Sequence, residues 1–253
     1  MTERHAHLER ADACTAGRRA ALIAKRAADL ALAGGALLVL SPLLATVALA
    51  VWATHGRPIL FQQVRPGRGA RLFTLYKFRT MRAPRPGEAW FTSSEERLSR
   101  FGRVLRTTSL DELPELWNVL QGDMSLVGPR PLLPEYLPEY TPDEQRRHLV
   151  RPGITGWAAV NGRNTLPFRE RLRLDLWYVD HWSLRLDLRI LGLTAWHVLR
   201  RSGSAPIEDS AALGFPIARL EGFAAAPPAR AGEPPPAPSG NPFGDPATPV
   251  SPP

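Results

Sequence analysis

The sequence predicts a mostly helical α+β domain carried on a membrane hairpin of the helix-break-helix type. Two observations predict the hairpin: an uncharged run of 24 residues, Leu30 to Ala53, and a Ser41-Pro42 pair at its middle. The third, which predicts the domain, is a downstream stretch alternating short β-rich runs with helical periodicity, broken at Gly and Pro. The boundaries follow as a mobile tail over 1–20, the hairpin over 21–56, the domain over 57–205 and a proline-rich tail over 206–253.

Residues 1–20 are polar and arginine-rich and lack the charged, apolar and cleavage regions of a secretory signal. The apolar run is long enough to cross a bilayer as one helix. Proline at its centre removes a backbone donor and clashes with the preceding turn. Each half is then about 17 Å long at 1.5 Å per residue, too short to cross alone. Cations flank both ends (Arg18, Arg19, Lys25 and Arg26 before, Arg57, Arg65 and Arg68 after), which places both flanks on the cytoplasmic side. A re-entrant hairpin in one leaflet satisfies these constraints if the Ser41 hydroxyl partners the broken backbone. A single spanning helix is the alternative that the sequence leaves open.

Ile59–Val64 and Arg71–Phe78 read as a hairpin around Pro66-Gly67-Arg68-Gly69. Ser94–Arg106 spaces Leu98, Phe101 and Leu105 as a helix does, and Asp111–Leu120 is a further helix stopped by Gly122. Thr141-Pro142-Asp143-Glu144 is a capping box opening a helix to about Val150, which Arg151-Pro152-Gly153 ends. A loop or short strand spans Ile154–Val160, and Asn161-Gly162 is a turn pair. Pro167–Arg201 forms two helical pieces, the second with Leu184, Leu188, Leu191, Ala195 and Leu199 along one side. Trp177, Tyr178, Trp182 and Trp196 are amphipathic rings suited to a headgroup layer or, equally, to a core stripe. From Pro227 on, 11 of 27 residues are proline, too little apolar surface to fold.

The net charge of +8 suits nucleic acid, an anionic membrane or phosphorylated substrates. No zinc-finger, basic-heptad or RNA-binding signature is present, so a nucleic-acid partner is not expected. The lone Cys14 excludes an internal disulfide, and the six histidines have no metal-site spacing.

The informative stretch is Thr107 to Pro138. Asp111 and Glu112 open a helix, and Ser109-x-x-Glu112 by itself fits a capping box with no chemistry attached. Adjacent helical residues point about 100° apart, so one carboxylate can face a phosphorus atom while the other holds a divalent cation. Asp123, Arg106, Arg130 and the Lys77-Phe78-Arg79-Thr80-Met81 run surround them. Guanidinium forks match phosphate, and a carboxylate nucleophile, a metal and cations are the parts phosphoryl transfer needs.

On these residues the chain resembles the bacterial sugar transferase family of small monotopic polyprenyl-phosphate phosphoglycosyl transferases. The resemblance runs from about Lys25 to Gly203 through five blocks in order. They are the hairpin with Ser41-Pro42, PILFQQVRPGRGARLFTLYKFRTM, SLDELPELWNVLQGDMSLVGPRP, RPGITGWAAVNGRN and LDLWYVDHWSLRLDLRIL. It implies an enzyme at the cytoplasmic face of the cell membrane that moves sugar-1-phosphate from a UDP-sugar to polyprenyl phosphate, an early step of cell-surface glycan assembly. It implies Asp111 as covalent nucleophile, Glu112 as ligand of Mg²⁺, and Lys77, Arg106 and Arg130 as active-site cations. Arg151 and Asn161-Gly162-Arg163 are implied at the donor site, and other glycan-assembly enzymes as possible partners. A transferase releasing UDP, or a silent membrane adaptor on the same scaffold, are the competing readings.

Overall fold

The computed structural model describes residues 2–82, 97–162 and 166–200, leaving the side chains of 2–16 and Leu199 undescribed. Arg163, the first part of the expected Ser94–Arg106 helix and the proline-rich tail lie outside the described residues. The described residues are mostly helical, with two small two-stranded sheets.

Helix α1 runs Thr2–Val39, reaching back through the segment expected to be a mobile tail. That segment is rich in Ala and Arg, which are strong helix formers. Helix α2 follows over Ser41–His55, bent 63° from α1. The bend is where the sequence predicts it, and the hydrogen bonding gives its cause. Pro42 has no N–H for the Leu38 carbonyl, and the Ser41 hydroxyl donates to that carbonyl instead at 2.8 Å. No single described helix is long and apolar enough to cross a membrane; only the bent pair passes that test together.

Strands β1 (Leu60–Pro66) and β2 (Leu72–Phe78) form the expected antiparallel hairpin, with Leu60 opposite Phe78 and Pro66 opposite Leu72. Helix α3 spans Arg100–Thr107 and is capped by Ser99, which accepts from the Gly102 N–H at 2.8 Å. The expected helical run is interrupted at Leu98, which pairs with Met81 in a β-bridge just before α3 begins. Gly102 lets α3 touch the chain after β2: a Cβ there would stand 1.9 Å from the Thr80 carbonyl oxygen.

The helix expected over Asp111–Leu120 divides at Pro114 into a 3-10 turn, Leu110–Glu112, and α4, Glu115–Gln121. Strand β3 (Ser125–Val127) pairs in parallel with β4 (Gly153–Thr155). Their backbones approach so closely that a Cβ at Gly153 would lie 2.1 Å from the Gly128 nitrogen. Between them, α5 (Pro142–Gln145) carries the predicted Thr141–Glu144 capping box and continues as a 3-10 turn to Leu149. A short α6 (Trp157–Val160), then α7 (Phe168–His181) and α8 (Leu184–Leu199), complete the domain.

The hairpin arms are built into this domain. Ala33 of α1 is buried with Phe73, Leu75, Leu116, Val119 and Met124, and Val47 and Val51 of α2 with Phe78 and Leu105. Charged residues of α1 add specific ties. Lys25 donates to Asp187 at 2.6 Å and to the Val127 carbonyl at 3.1 Å. Asp29 accepts from the Ser125 hydroxyl and the Leu126 N–H. Arg26 donates to the last carbonyls of α4, those of Val119 and Leu120.

The inward side of α8 differs from the expected one. Leu186 and Ile190 are buried against Val127 and Tyr178, while Leu184, Leu188 and Ala195 face out. Two apolar stripes run along this helix, and periodicity alone does not say which one meets the core. Tyr178 belongs to the core, its hydroxyl donating to Asp187 at 2.7 Å, whereas Trp177 and Trp196 are exposed.

Candidate active site

The site forms where β2, the turn after α3 and the start of α4 meet. Asn118, fully buried on α4, places them. Its side-chain carbonyl accepts from the Tyr76 N–H at 3.2 Å, and its amide donates to the Thr74 carbonyl at 2.7 Å. A side chain thus stands in for a neighbouring strand along the edge of β2, which sets α4 beside Lys77.

Ser109 does not cap the following turn. Its backbone is left-handed (φ 57°), outside the extended region an N-cap requires, and its hydroxyl makes no cap bond. For a residue with a Cβ this conformation costs of order 1 kcal/mol and is a recurrent feature of functional sites. The capping box read at Ser109-x-x-Glu112 is therefore absent, and Glu112 is free for other partners.

Those partners are cations. Glu112 Oε1 accepts from Lys77 Nζ at 2.7 Å and from Arg130 Nη2 at 2.5 Å. Lys77 also pairs with Glu115 at 3.1 Å. Asp111, next in the turn, is 8% exposed. Arg106 from α3 lies close enough to interact electrostatically with Asp111 and Glu112, and its Nε donates to the Thr80 hydroxyl at 3.1 Å. Five of the residues singled out from the sequence (Lys77, Arg106, Asp111, Glu112, Arg130) thus share one site.

Their environments push the acids apart. Burial, with the Glu112 charge adding, raises Asp111 to about 6 against the pull of Lys77, Arg106 and Arg130. Burial works to raise Glu112 as well, but Arg130 and Lys77 overcome it and hold that carboxyl well below the usual range. Glu115 is pushed up to about 7, chiefly by burial. Near neutral pH the site therefore holds Glu112 as a fixed carboxylate, Glu115 as a partly protonated one and, before both in the chain, Asp111 ionised but poorly solvated. Such a carboxylate is a competent nucleophile toward an electrophile whose charge is neutralised.

Glu115 and Asn118 were not singled out from the sequence, where they read as ordinary residues of an amphipathic helix. Arg147 was also missed. It is buried, donates to the Arg130 carbonyl at 2.7 Å and pairs with Asp175 at 2.6 Å, so it fixes the backbone that aims Arg130. Arg151 sits at the other end of α4, its Nε donating to the Gly122 carbonyl at 2.8 Å. Asn161 donates to the Trp157 carbonyl at 2.8 Å. Asp123 follows the C-terminus of α4, away from the acid cluster at its start.

Among the described residues no group of three or more His, Cys, Asp or Glu side chains is arranged to hold a metal by itself. That donor set still suits magnesium, which takes one or two carboxylates and completes its shell with water and substrate phosphate oxygens. Asp111 and Glu112 supply hard oxygen donors side by side.

A family model described as bacterial sugar transferase matches residues 20–201. The chain is 50% identical over 182 residues to a Bacillus subtilis protein named "Uncharacterized sugar transferase EpsL", covering 72% of this chain and 90% of that one. It is 43% identical over 189 residues to the UDP-glucose:undecaprenyl-phosphate glucose-1-phosphate transferase of Xanthomonas campestris pv. campestris, covering 70% of this chain and 39% of that protein. The exopolysaccharide production protein PSS of Rhizobium leguminosarum bv. phaseoli is 40% identical over 188 residues, covering 67% of this chain and 92% of its own length. The chain thus spans nearly all of the shorter relatives and well under half of the longer glucose-1-phosphate transferase.

Proposed function

The chain belongs to the bacterial sugar transferase family, and we propose that it transfers sugar-1-phosphate from a UDP-sugar to a polyprenyl phosphate at the cytoplasmic face of the membrane. The observation that carries this reading is Asp111, a buried carboxylate set among Lys77, Arg106 and Arg130 beside Glu112. The names of the relatives from Xanthomonas and Rhizobium agree with it in reaction and in pathway.

This reading has two steps. A carboxylate oxygen of Asp111 attacks the phosphorus that bears the sugar. The bond from that phosphorus to the bridging oxygen breaks, and UMP leaves with the electron pair. Lys77, Arg106 and Arg130 neutralise charge on the diphosphate, a role for which guanidinium forks are suited. Glu112 is the residue to hold magnesium, which would supply further neutralisation of the diphosphate oxygens. An oxygen of polyprenyl phosphate then attacks the same phosphorus, forming the diphosphate-linked sugar and returning Asp111 as a carboxylate. Arg151 and Arg163 are assigned to the donor side on family resemblance alone.

Membrane association is part of the proposal. The bend exposes Leu38 and Val39 at 77% and 76%, and Leu49, Trp52, Leu188 and Trp196 add exposed apolar surface. Both arms are held by the same catalytic domain, which favours a hairpin that enters and leaves by one face.

Purified protein incubated with Mg²⁺, polyprenyl phosphate and a panel of UDP-sugars should release UMP with at least one of them. Release of UDP would assign a glycosyltransferase instead, and no nucleotide product with any donor would favour the silent adaptor.

A further inference from the structure

A groove of about 860 Å³ lies between α2 and the catalytic domain, within the size range of ligand pockets. Leu44, Ala45 and Ala48 form its wall on the membrane arm, and Phe78 and Pro114 line it from the domain. Arg57 is the one ionisable residue among those lining it. Pro114 stands two residues beyond Glu112 and three beyond the nucleophile. Phe78 follows Lys77, and it packs with Leu105, the neighbour of Arg106. Phe78 and Pro114 thus tie the groove to the chain segments that carry the active-site residues, and Ile59 and Leu60, which also line it, pack against the Phe78 cluster.

Resting on the function proposed above, we infer that this groove holds the polyisoprenyl chain of the acceptor lipid, its first isoprene units lying between α2 and Pro114 with the phosphate directed to Asp111. The occupant follows from the surroundings. An apolar channel continuous with a membrane-facing arm suits hydrocarbon, and small side chains at 45 and 48 leave room for methyl branches. A chain lodged there is delivered head-first toward the acid cluster, with Arg57 providing charge complementary to a phosphate that enters or leaves.

The two half-reactions separate the groove from the chemistry. Ala45 is exposed on α2, so Ala45→Trp fills the groove with little effect on the core; Ala48→Phe fills it from one turn further on. Leu49→Trp, on a residue 62% exposed and outside the groove, is the control. With donor alone, all variants should give the wild-type burst of one UMP per enzyme. With acceptor, both groove variants should show an apparent KM for long-chain polyprenyl phosphate raised about tenfold, equivalent to ~1.4 kcal/mol. They should also lose the preference for long over short chains, while Leu49→Trp keeps it. An unchanged KM in Ala45→Trp, or an equal rise in the control, overturns the assignment. On the unsubstituted protein, a diazirine-bearing polyprenyl phosphate should label residues 41–60. Loss of that label to phosphatidylethanolamine as readily as to undecaprenyl phosphate would mark a general acyl site and overturn it too. Absence of the burst in the unsubstituted protein would reject the covalent-transfer reading itself, and this inference with it.

Discussion

Asp111 is poised by two opposing effects, burial that raises its carboxyl and cations that lower it, and the balance at about 6 has consequences at both ends of the pH scale. In the proposed reaction Asp111 attacks as the carboxylate. The pre-steady-state rate of UMP release should therefore climb about tenfold per pH unit below about 6 and level off above it. A rate flat from pH 4.5 to 8 would contradict the assignment. Stability moves the other way. A carboxyl raised in the fold contributes stability that is complete below its unfolded value near 3.8 and lost as pH rises through about 6. Asp111→Asn should therefore be inactive yet more stable than wild type at pH 8, by about 3 kcal/mol at most, with the difference gone at pH 4. Thermal melts at the two pH values check this. The chemistry-bearing types at Lys77, Arg106, Asp111, Glu112 and Arg130 were legible in the sequence because phosphoryl transfer limits what residues can serve. Glu115 and Asn118 were not, because their roles exist only once α4 is laid along β2. Ser109 misled for a related reason: S-x-x-E specifies a cap only if the serine backbone is extended, and here it is left-handed.

Among the elements, the α1–α2 bend shows local sequence and local structure in closest agreement. Pro42 removes the donor, Ser41 replaces it, and the two helices diverge by 63°. Replacing both residues with alanine restores the missing N–H and removes the clash, so α1 and α2 should merge into one helix long enough to span. Topology labelling reads this out. In a Cys14→Ser background with Arg18→Cys, an impermeant maleimide should reach the cysteine only from the cytoplasmic side. With Ser41→Ala and Pro42→Ala added, it should be reached from the opposite side. Identical labelling in both would contradict the role given to the break. The Pro66–Gly69 turn and the Thr141 capping box were equally readable, since each depends on a few adjacent residues. The face of α8 was not. Its two apolar stripes are distinguished by what they meet: Leu186 and Ile190 are buried with Val127 and Tyr178, while of the other stripe Leu191 reaches that cluster and Leu184 and Leu188 stay exposed.

At the scale of the whole molecule, membrane arm and catalytic site form one construction. Lys25 and Arg26, which read as cations flanking an apolar run, serve together with Asp29 as ties from α1 into α8, α4 and β3. Lys25 and Asp187 are each largely buried, and leaving either partner alone in that setting would cost about 3 kcal/mol or more. The domain is thus held against the hairpin, and under the proposed function this brings Asp111 to where a lipid phosphate and a water-soluble nucleotide sugar both arrive. The central claim is that the phosphosugar passes through a bond to Asp111. Intact-mass and peptide mass spectrometry after mixing the protein with a UDP-sugar and Mg²⁺, acceptor withheld, test it most directly. The account predicts a single phosphosugar adduct on the peptide containing Asp111, formed with one equivalent of UMP and discharged by polyprenyl phosphate. Turnover without any adduct, or an adduct on another residue, would contradict it.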